Sequence, residues 1–305
     1  MRIVFMGTPD FAVASLDILV QHGYDIAGVI TAPDKPAGRG LQLQESAVKK
    51  YAVSKGLKVL QPEKLKNPAF LDELRALKAD LQVVVAFRML PEAVWDMPPL
   101  GTINVHASLL PDYRGAAPIN WAIINGEKVS GVTTFKLQHA IDTGNILYNA
   151  QVNIREDETA GELHDDLMQT GAQVLLKTVN ALAAGTAEEK PQPDLDAALI
   201  KHAPKIFKED CHINWEQSLD KIYNLVRGLS PYPTAWTTLQ DKQLKIFKAV
   251  KEYTKPSVAP GQPVTDQKTF LKIAAPDGYL MLQEIQLEGK KKMDVESFLR
   301  GYRFE

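Results

Sequence analysis

The chain has 305 residues, 45% of them apolar, with 35 basic and 37 acidic side chains. That is more than one small domain needs and enough for two packed cores, while the near-balance of charge excludes a whole-molecule field for nucleic acid or acidic ligands. The charge is uneven, −6 over the first 200 residues and +4 over the last 105, and the single cysteine, Cys211, excludes an internal disulfide framework.

The apolar start is interrupted by Thr8, Pro9, Asp10 and Asp17, so no signal peptide is expected. No run approaches the roughly 20 apolar residues of a membrane span, and the expectation is a soluble, cytoplasmic monomer without a membrane partner. Arg2 to Met6 reads as a strand, Gly7-Thr8-Pro9 as a turn with Thr8 as N-cap and Pro9 in the first helical position, and Phe11 to Gln21 as a helix. Ile26 to Thr31 is a second strand. A long loop from Ala32 to Gln44 leads to a helix over 44–55, a strand over 58–60, a helix over 68–78, and the continuous apolar run "LQVVVAF" from Leu81. Such runs belong to strands buried on both faces. Strands alternating with helices imply an open, mostly parallel sheet.

Thr102 to His106 is a further strand, and Ala117 to Asn125 a helix. Two β-rich runs, 131–138 and 145–153, flank the turn "HAIDTG". Thr159 with Glu162 forms a capping box opening a long helix that should end near Gly185. "GTAEEKPQPDLDAA" has no periodicity and reads as an interdomain linker. From about Ile206 short strands dominate ("WTTLQ", "LKIFKAV", "FLKIAAP", "GYLMLQEIQLEG"), with one helix over 218–227, which suggests a small antiparallel barrel.

Chemistry concentrates at one strand end. Residues two apart in a strand share a face, so Asn104 and His106 project together, and ligands of open parallel sheets bind where strands end. After them come Leu109-Leu110-Pro111 and a loop with Arg114 and Gly115. Taken singly, a strand-end histidine is commonly a satisfied structural residue, and Asp142 before Thr143-Gly144 a turn residue. "GTPDFA" lacks the G-x-G-x-x-G spacing of a dinucleotide fingerprint. His106, His139 and Asp142 match no metal signature, and no metal is expected. The clustered lysines of "HAPKIFKED" and "EGKKKM" read either as a solvated face or as a phosphate-tracking surface.

Seven segments in order, "VFMGTPDFA", "PDKPAGRG", "QPEKLK", "INVHASLLPDYRGAAPINWAI", "IDTGNIL", "GLSPYP" and "DGYLMLQEIQLEGKKKM", resemble the methionyl-tRNA formyltransferase family. These enzymes formylate the amino group of methionine on initiator tRNA with 10-formyltetrahydrofolate. The resemblance implies a Rossmann-like, mostly parallel α/β formyltransferase domain over 1–185, a linker over 186–204, and a small OB-fold-like β-barrel domain for tRNA over 205–305. It implies Asn104, His106 and Asp142 as catalytic residues, and Ser108, Leu109, Leu110 and Pro111 as the folate-binding segment. The loop that enters the acceptor end of tRNA corresponds to "PDKPAGRG", with Lys35 and Arg39. Lys205, Lys208, Lys290, Lys291 and Lys292 are the expected tRNA-binding lysines of the C-terminal part.

Two positions depart from the family pattern: Phe87-Arg88 stands where an aromatic and a glycine are usual, and Ile213-Asn214-Trp215 replaces "IDW". Rival readings are a formyltransferase acting on a nucleotide sugar or a purine precursor, a formyltetrahydrofolate hydrolase, and a non-catalytic RNA-binding protein on the same scaffold. The nucleotide enzyme among these is normally short, without a basic C-terminal domain, and a hydrolase should not need Arg39 or the lysine clusters.

Overall fold

In chain order the first elements are β1 (Arg2–Gly7), α1 (Phe11–Gln21), β2 (Asp25–Ile30), β3 (Lys35–Ala37), β4 (Gln42–Gln44), α2 (Ala47–Ser54), β5 (Val59–Leu60), α3 (Pro68–Ala76), β6 (Leu81–Val85), α4 (Glu92–Trp95) and β7 (Thr102–His106). The computed structural model describes residues 1–37, 42–193 and 196–304. Then follow β8 (Arg114–Gly115), α5 (Pro118–Ile124), β9 (Val129–Lys136), β10 (Ile146–Asn153) and α6 (Ala160–Ala183). The C-terminal part holds β11 (His202–Ala203), α7 (Leu219–Gly228), β12 (Ala235–Leu239), β13 (Lys242–Glu252), β14 (Pro263–Thr265), β15 (Leu271–Ala275), β16 (Gly278–Leu287), β17 (Met293–Asp294) and α8 (Val295–Gly301).

These elements make two compact units, one of Met1–Gly115, Ser130–Asn153 and His164–His202, the other of Ala116–Val129, Ile154–Leu163 and Ala203–Glu305. The first is built on a seven-stranded sheet in the order β10-β9-β7-β6-β1-β2-β5. Its centre is parallel, β1 lying between β2 and β6, and β6 against β7. Strand β9 runs antiparallel to β7. All five residues of β6 are buried, as its unbroken apolar run requires of a strand covered on both faces. On one face Phe70 and Leu74 of α3 and Val94 of α4 pack with Val4, Met6 and Val84.

Helix α1 runs from Phe11 to Gln21 as expected, but Asp10 rather than Thr8 stands at its N-cap position, so Pro9 lies before the helix. The chain first makes a tight turn in which Pro9 and Asp10 carbonyls accept from Ala12 and Val13, and no side chain caps the helix. Thr8 Oγ1 instead accepts the Ala32 amide at 3.4 Å. The stretch read as a loop from Ala32 to Gln44 carries two short antiparallel strands, with Lys35 opposite Gln44. Asp34 anchors its base, held by Lys49 Nζ and by Gln61 Nε2. The capping box at α6 is present: Glu162 Oε2 accepts the Thr159 amide and hydroxyl, each at 2.8 Å, and Thr159 Oγ1 accepts the Glu162 amide at 3.3 Å.

The second unit is a curled antiparallel sheet, β12-β13-β16-β15-β14, with β17 added to β16. Its register shifts on β13 between Ile246 and Ala249, where bulges bend the long strands. Helix α7 closes the core with Leu219, Ile222, Tyr223 and Val226 against Leu244, Ile246 and Leu280. Helix α8 was not expected, yet Asp294 caps it by accepting the Ser297 amide at 2.8 Å, and Val295, Phe298 and Leu299 bury one face. No helix among the described residues is long and apolar enough to cross a membrane.

Candidate active site

Strand β7 delivers the site's first two side chains. Its register against β6 and β9 fixes Asn104 beside Val84 and Phe135, and His106 beside Thr133. Val105, between them, faces the other way into the core. Asn104 is half-buried, and its amide makes no hydrogen bond to another described residue.

His106 is buried, and its orientation is set by the backbone. Nε2 lies 2.9 Å from the Tyr113 carbonyl oxygen. A carbonyl can only accept, so Nε2 carries the hydrogen and the neutral ring keeps its lone pair on Nδ1. Nδ1 faces Asp142 Oδ2 at 3.9 Å, with the two side chains 8% and 12% exposed. That gap is too long for a hydrogen bond. It leaves the lone pair and the carboxylate facing a common space, where a proton or an N–H group gains from both.

Asp142 sits at φ +55° in the "DTG" turn, and its Oδ2 accepts the Gly115 amide at 3.0 Å. Gly144 follows against the β9 backbone; a Cβ there would lie 1.6 Å from the Lys136 carbonyl oxygen, so only glycine fits. The Gln192 side chain donates to the carbonyls of Asp142 and Gly144 at 2.8 and 2.9 Å, and its Oε1 accepts from Arg114 at 2.6 Å. The Arg114 Nε is buried with no hydrogen-bond partner among the described residues.

The Ser108 to Pro111 segment follows Asn104 and His106 in sequence. Much of its polarity is already spent on its own shape: Ser108 Oγ donates to the Asp112 carbonyl, Thr133 Oγ1 donates to the Ser108 carbonyl, and the Leu110 amide donates to Thr133 Oγ1. Leu109 and Pro111 are the half-buried members, and so the ones with surface to offer a flat apolar ligand. Among the described residues no three His, Cys, Asp or Glu side chains are grouped as a metal site needs.

Of the expected tRNA residues, Lys35 is exposed on β3, and Arg39 lies outside the described residues. In the second unit Lys205 stands over the exposed Phe207 ring at 5.2 Å, and Lys208 over Trp236 at 5.8 Å. Lys290 and Lys291 are exposed, and Lys292 pairs with Glu284 at 2.6 Å and covers Phe247 at 4.8 Å. Sequence reasoning missed Tyr113, Thr133 and Gln192, which act by contacts that no local spacing announces. It also did not single out Lys245, a half-buried lysine of β13. Lys245 shows as a period-two outward position on β13, between the buried Leu244 and Ile246.

Arg88, at the usual glycine position, needs no special backbone: the left-handed residue is Ala86, at φ +47°. The Arg88 guanidinium turns to the carbonyls of Pro62 and Glu63. Asn214, in place of aspartate, makes the same kind of turn, its Oδ1 accepting the Glu216 amide at 3.0 Å.

The profile of the family described as "Formyl transferase" matches residues 1–179, and that of "Formyl transferase, C-terminal domain" matches residues 205–303. A methionyl-tRNA formyltransferase of Parabacteroides distasonis is 55% identical over 311 residues, covering 99% of this chain and 96% of its own length. One from Bacteroides fragilis is 51% identical, covering 99% of this chain and 95% of its own. Among solved structures, HypX from Aquifex aeolicus in complex with tetrahydrofolic acid shares the fold at a TM-score of 0.67 and 18% identity. The match takes in all of this chain and 48% of HypX, so this chain spans about half of that protein.

Proposed function

Since the chain belongs to the methionyl-tRNA formyltransferase family, we propose that Asn104, His106 and Asp142 carry the formyl group of 10-formyltetrahydrofolate to the amino group of methionyl initiator tRNA. The observation that carries this assignment is the unpaired Asn104 amide beside a histidine whose Nδ1 lone pair faces a carboxylate 3.9 Å away. Amine attack on a formamide needs those two things: a donor for an oxyanion and a place for a proton.

The neutral methionyl amine attacks the formyl carbon, forming the new C–N bond and placing the carbonyl electrons on oxygen. Asn104 donates to that oxyanion. The amine loses its proton to His106 Nδ1, and Asp142 balances the resulting imidazolium across the gap while Tyr113 holds the opposite ring nitrogen. Collapse of the intermediate breaks the bond to the folate nitrogen, which takes the proton from Nδ1. Every atom is accounted for without a covalent enzyme intermediate. The three side chains come from one chain, and we take a monomer in the cytoplasm, where charged tRNA is found, as the working enzyme.

Residues 1–185 are assigned the chemistry, with Leu109 and Pro111 against the folate, and 205–305 the tRNA surface, with 186–204 between them. Lys35 and Arg39 are assigned to the acceptor end of tRNA. Transfer to a nucleotide-sugar amine is the second reading; the relatives above 50% identity and the matched C-terminal domain favour tRNA. Supplying charged initiator tRNA, 10-formyltetrahydrofolate and a competing nucleotide-sugar amine should yield formyl-methionine. Transfer to the sugar alone overturns the assignment.

A further inference from the structure

The segment after α6 reads as a linker, but its first half is bonded to the turn that carries Asp142. Lys190 exchanges backbone hydrogen bonds with Ile146 at 2.7 and 2.8 Å, forming an isolated antiparallel bridge. The Glu189 carboxylate, two residues before Pro191, accepts from Lys136 Nζ at 2.5 Å and from Asn145 Nδ2 at 3.1 Å. Lys136 holds the Glu189 carboxyl below its usual range, as a bonded pair should. Gln192 is half-buried between two exposed prolines. Its Nε2 spends both hydrogens on the carbonyls of Asp142 and Gly144, and its Oε1 accepts from Arg114, the residue before Gly115.

Gln192 therefore ties together the two backbone stretches that define where the Asp142 carboxylate lies: the left-handed turn at Asp142, and the Gly115 amide that Oδ2 accepts. Both donated bonds end on main-chain oxygens, so a substitution at Gln192 changes no group of the reacting set directly. An aspartate at φ +55° is tolerated locally, but its carboxylate is aimed only as well as the turn is held. Catalytic groups misplaced by about 1 Å cost on the order of 10²-fold.

We propose that Gln192 is a positioning residue of the transfer reaction, acting through the backbone of Asp142 and Gly144, and that residues 189–192 are a strap of the active site. This rests on the reading of Asp142 given above. The test compares full-length Gln192→Leu, Gln192→Glu and Asp142→Asn proteins and the Gln192→Leu/Asp142→Asn double variant, measuring kcat, both KM values and amide exchange at Gly115. In Gln192→Leu and Gln192→Glu, kcat should fall about tenfold or more with KM for both substrates within about twofold. The Gly115 amide should exchange faster while the β1, β6 and β7 amides keep their protection.

The double variant should be no slower than Asp142→Asn alone, because two changes acting through one group are not additive. Unchanged kcat in Gln192→Leu, an unaltered Gly115 amide, or a further loss in the double variant each overturns the proposal. Recovery in Gln192→Glu, which keeps an acceptor for Arg114 but loses the donors, overturns it too. Full activity in Asp142→Asn instead sinks the catalytic reading of Asp142, and the Gly115 amide still decides by itself whether Gln192 holds that carboxylate.

Discussion

At the scale of single residues, the site divides into what a spacing announces and what only a fold brings together. Asn104 and His106 are legible because a strand has a period of two and its end is a known place for ligands. The Tyr113 carbonyl that sets the His106 tautomer is not, since any residue could supply a carbonyl there. Nor is Gln192, which meets Arg114 across 78 positions of sequence. The roles are separable by kinetics. Asn104→Ala removes the proposed donor to an oxyanion that exists only along the reaction path, so kcat and kcat/KM should fall together, by about 10²-fold and not less than about tenfold. Asp142→Asn keeps the volume and the acceptor for Gly115 while losing the charge, and should also cost about tenfold or more in kcat. Retained turnover with the β7 amides still protected would remove either residue from the mechanism.

At the scale of elements, caps and alternation were readable wherever the signal is local. Thr159 and Glu162 form the reciprocal cap that their spacing predicts, whereas Thr8 does not cap α1, its Oγ1 accepting the Ala32 amide from a stretch distant in sequence. The α6 cap has a pH signature. Hydrogen bonds from the Thr159 amide and hydroxyl lower the Glu162 pKa. A lowered pKa contributes stability that is present above the unfolded carboxylate value, about 4.3, and is lost as pH falls through the lower folded value. Thr159→Ala should therefore cost about 1 kcal/mol at neutral pH. The difference from wild type in urea-unfolding midpoint should shrink on acidification below that range; a difference independent of pH would mean the carboxylate plays no part in the cap. On β13, Lys245 pairs with Trp236 on one side and with Gln286 on the other. Trp236 Nε1 donates to the Lys208 carbonyl, and Gln286 Nε2 to the Lys290 carbonyl. One hydrogen-bonded row thus links three lysines, two of them legible as charge runs and the third only once the register is known. Lys245→Ala should weaken charged-tRNA kcat/KM by the same kind of increment as Lys208→Ala, measured at fixed salt, and an unaffected value would take Lys245 out of the surface.

At the scale of the whole chain, the uneven charge is a sequence property that needs no fold: −6 before residue 201 and +4 after it. Net charge could not say where the basic side chains gather, because that depends on strand register and on a curled sheet built from residues far apart. With the register known, Lys205, Lys208, Lys245 and Lys290 all belong to one compact unit, while Asn104, His106 and Asp142 all belong to the other. The phosphate surface and the chemical site proposed above share no residue, and so should be separable by salt. Each phosphate neutralised releases counterions, so log affinity falls linearly with log salt, with a slope near −0.9 per contact on duplex nucleic acid. Replacing Lys205, Lys208 and Lys290 by alanine should flatten the salt dependence of kcat/KM for charged tRNA by about one unit of slope per true contact. The KM for 10-formyltetrahydrofolate should not move, and kcat at saturating tRNA should be nearly preserved. Arg39→Ala, in the segment proposed above to meet the acceptor end of tRNA, should instead depress kcat with tRNA saturating, because a misplaced acceptor end is a failure of positioning that added tRNA cannot repair. Equal salt slopes for wild type and the triple-lysine protein would show that the lysines are a solvated face. In that case the proposed contribution of Lys35 and Arg39 would have to carry the preference for tRNA alone.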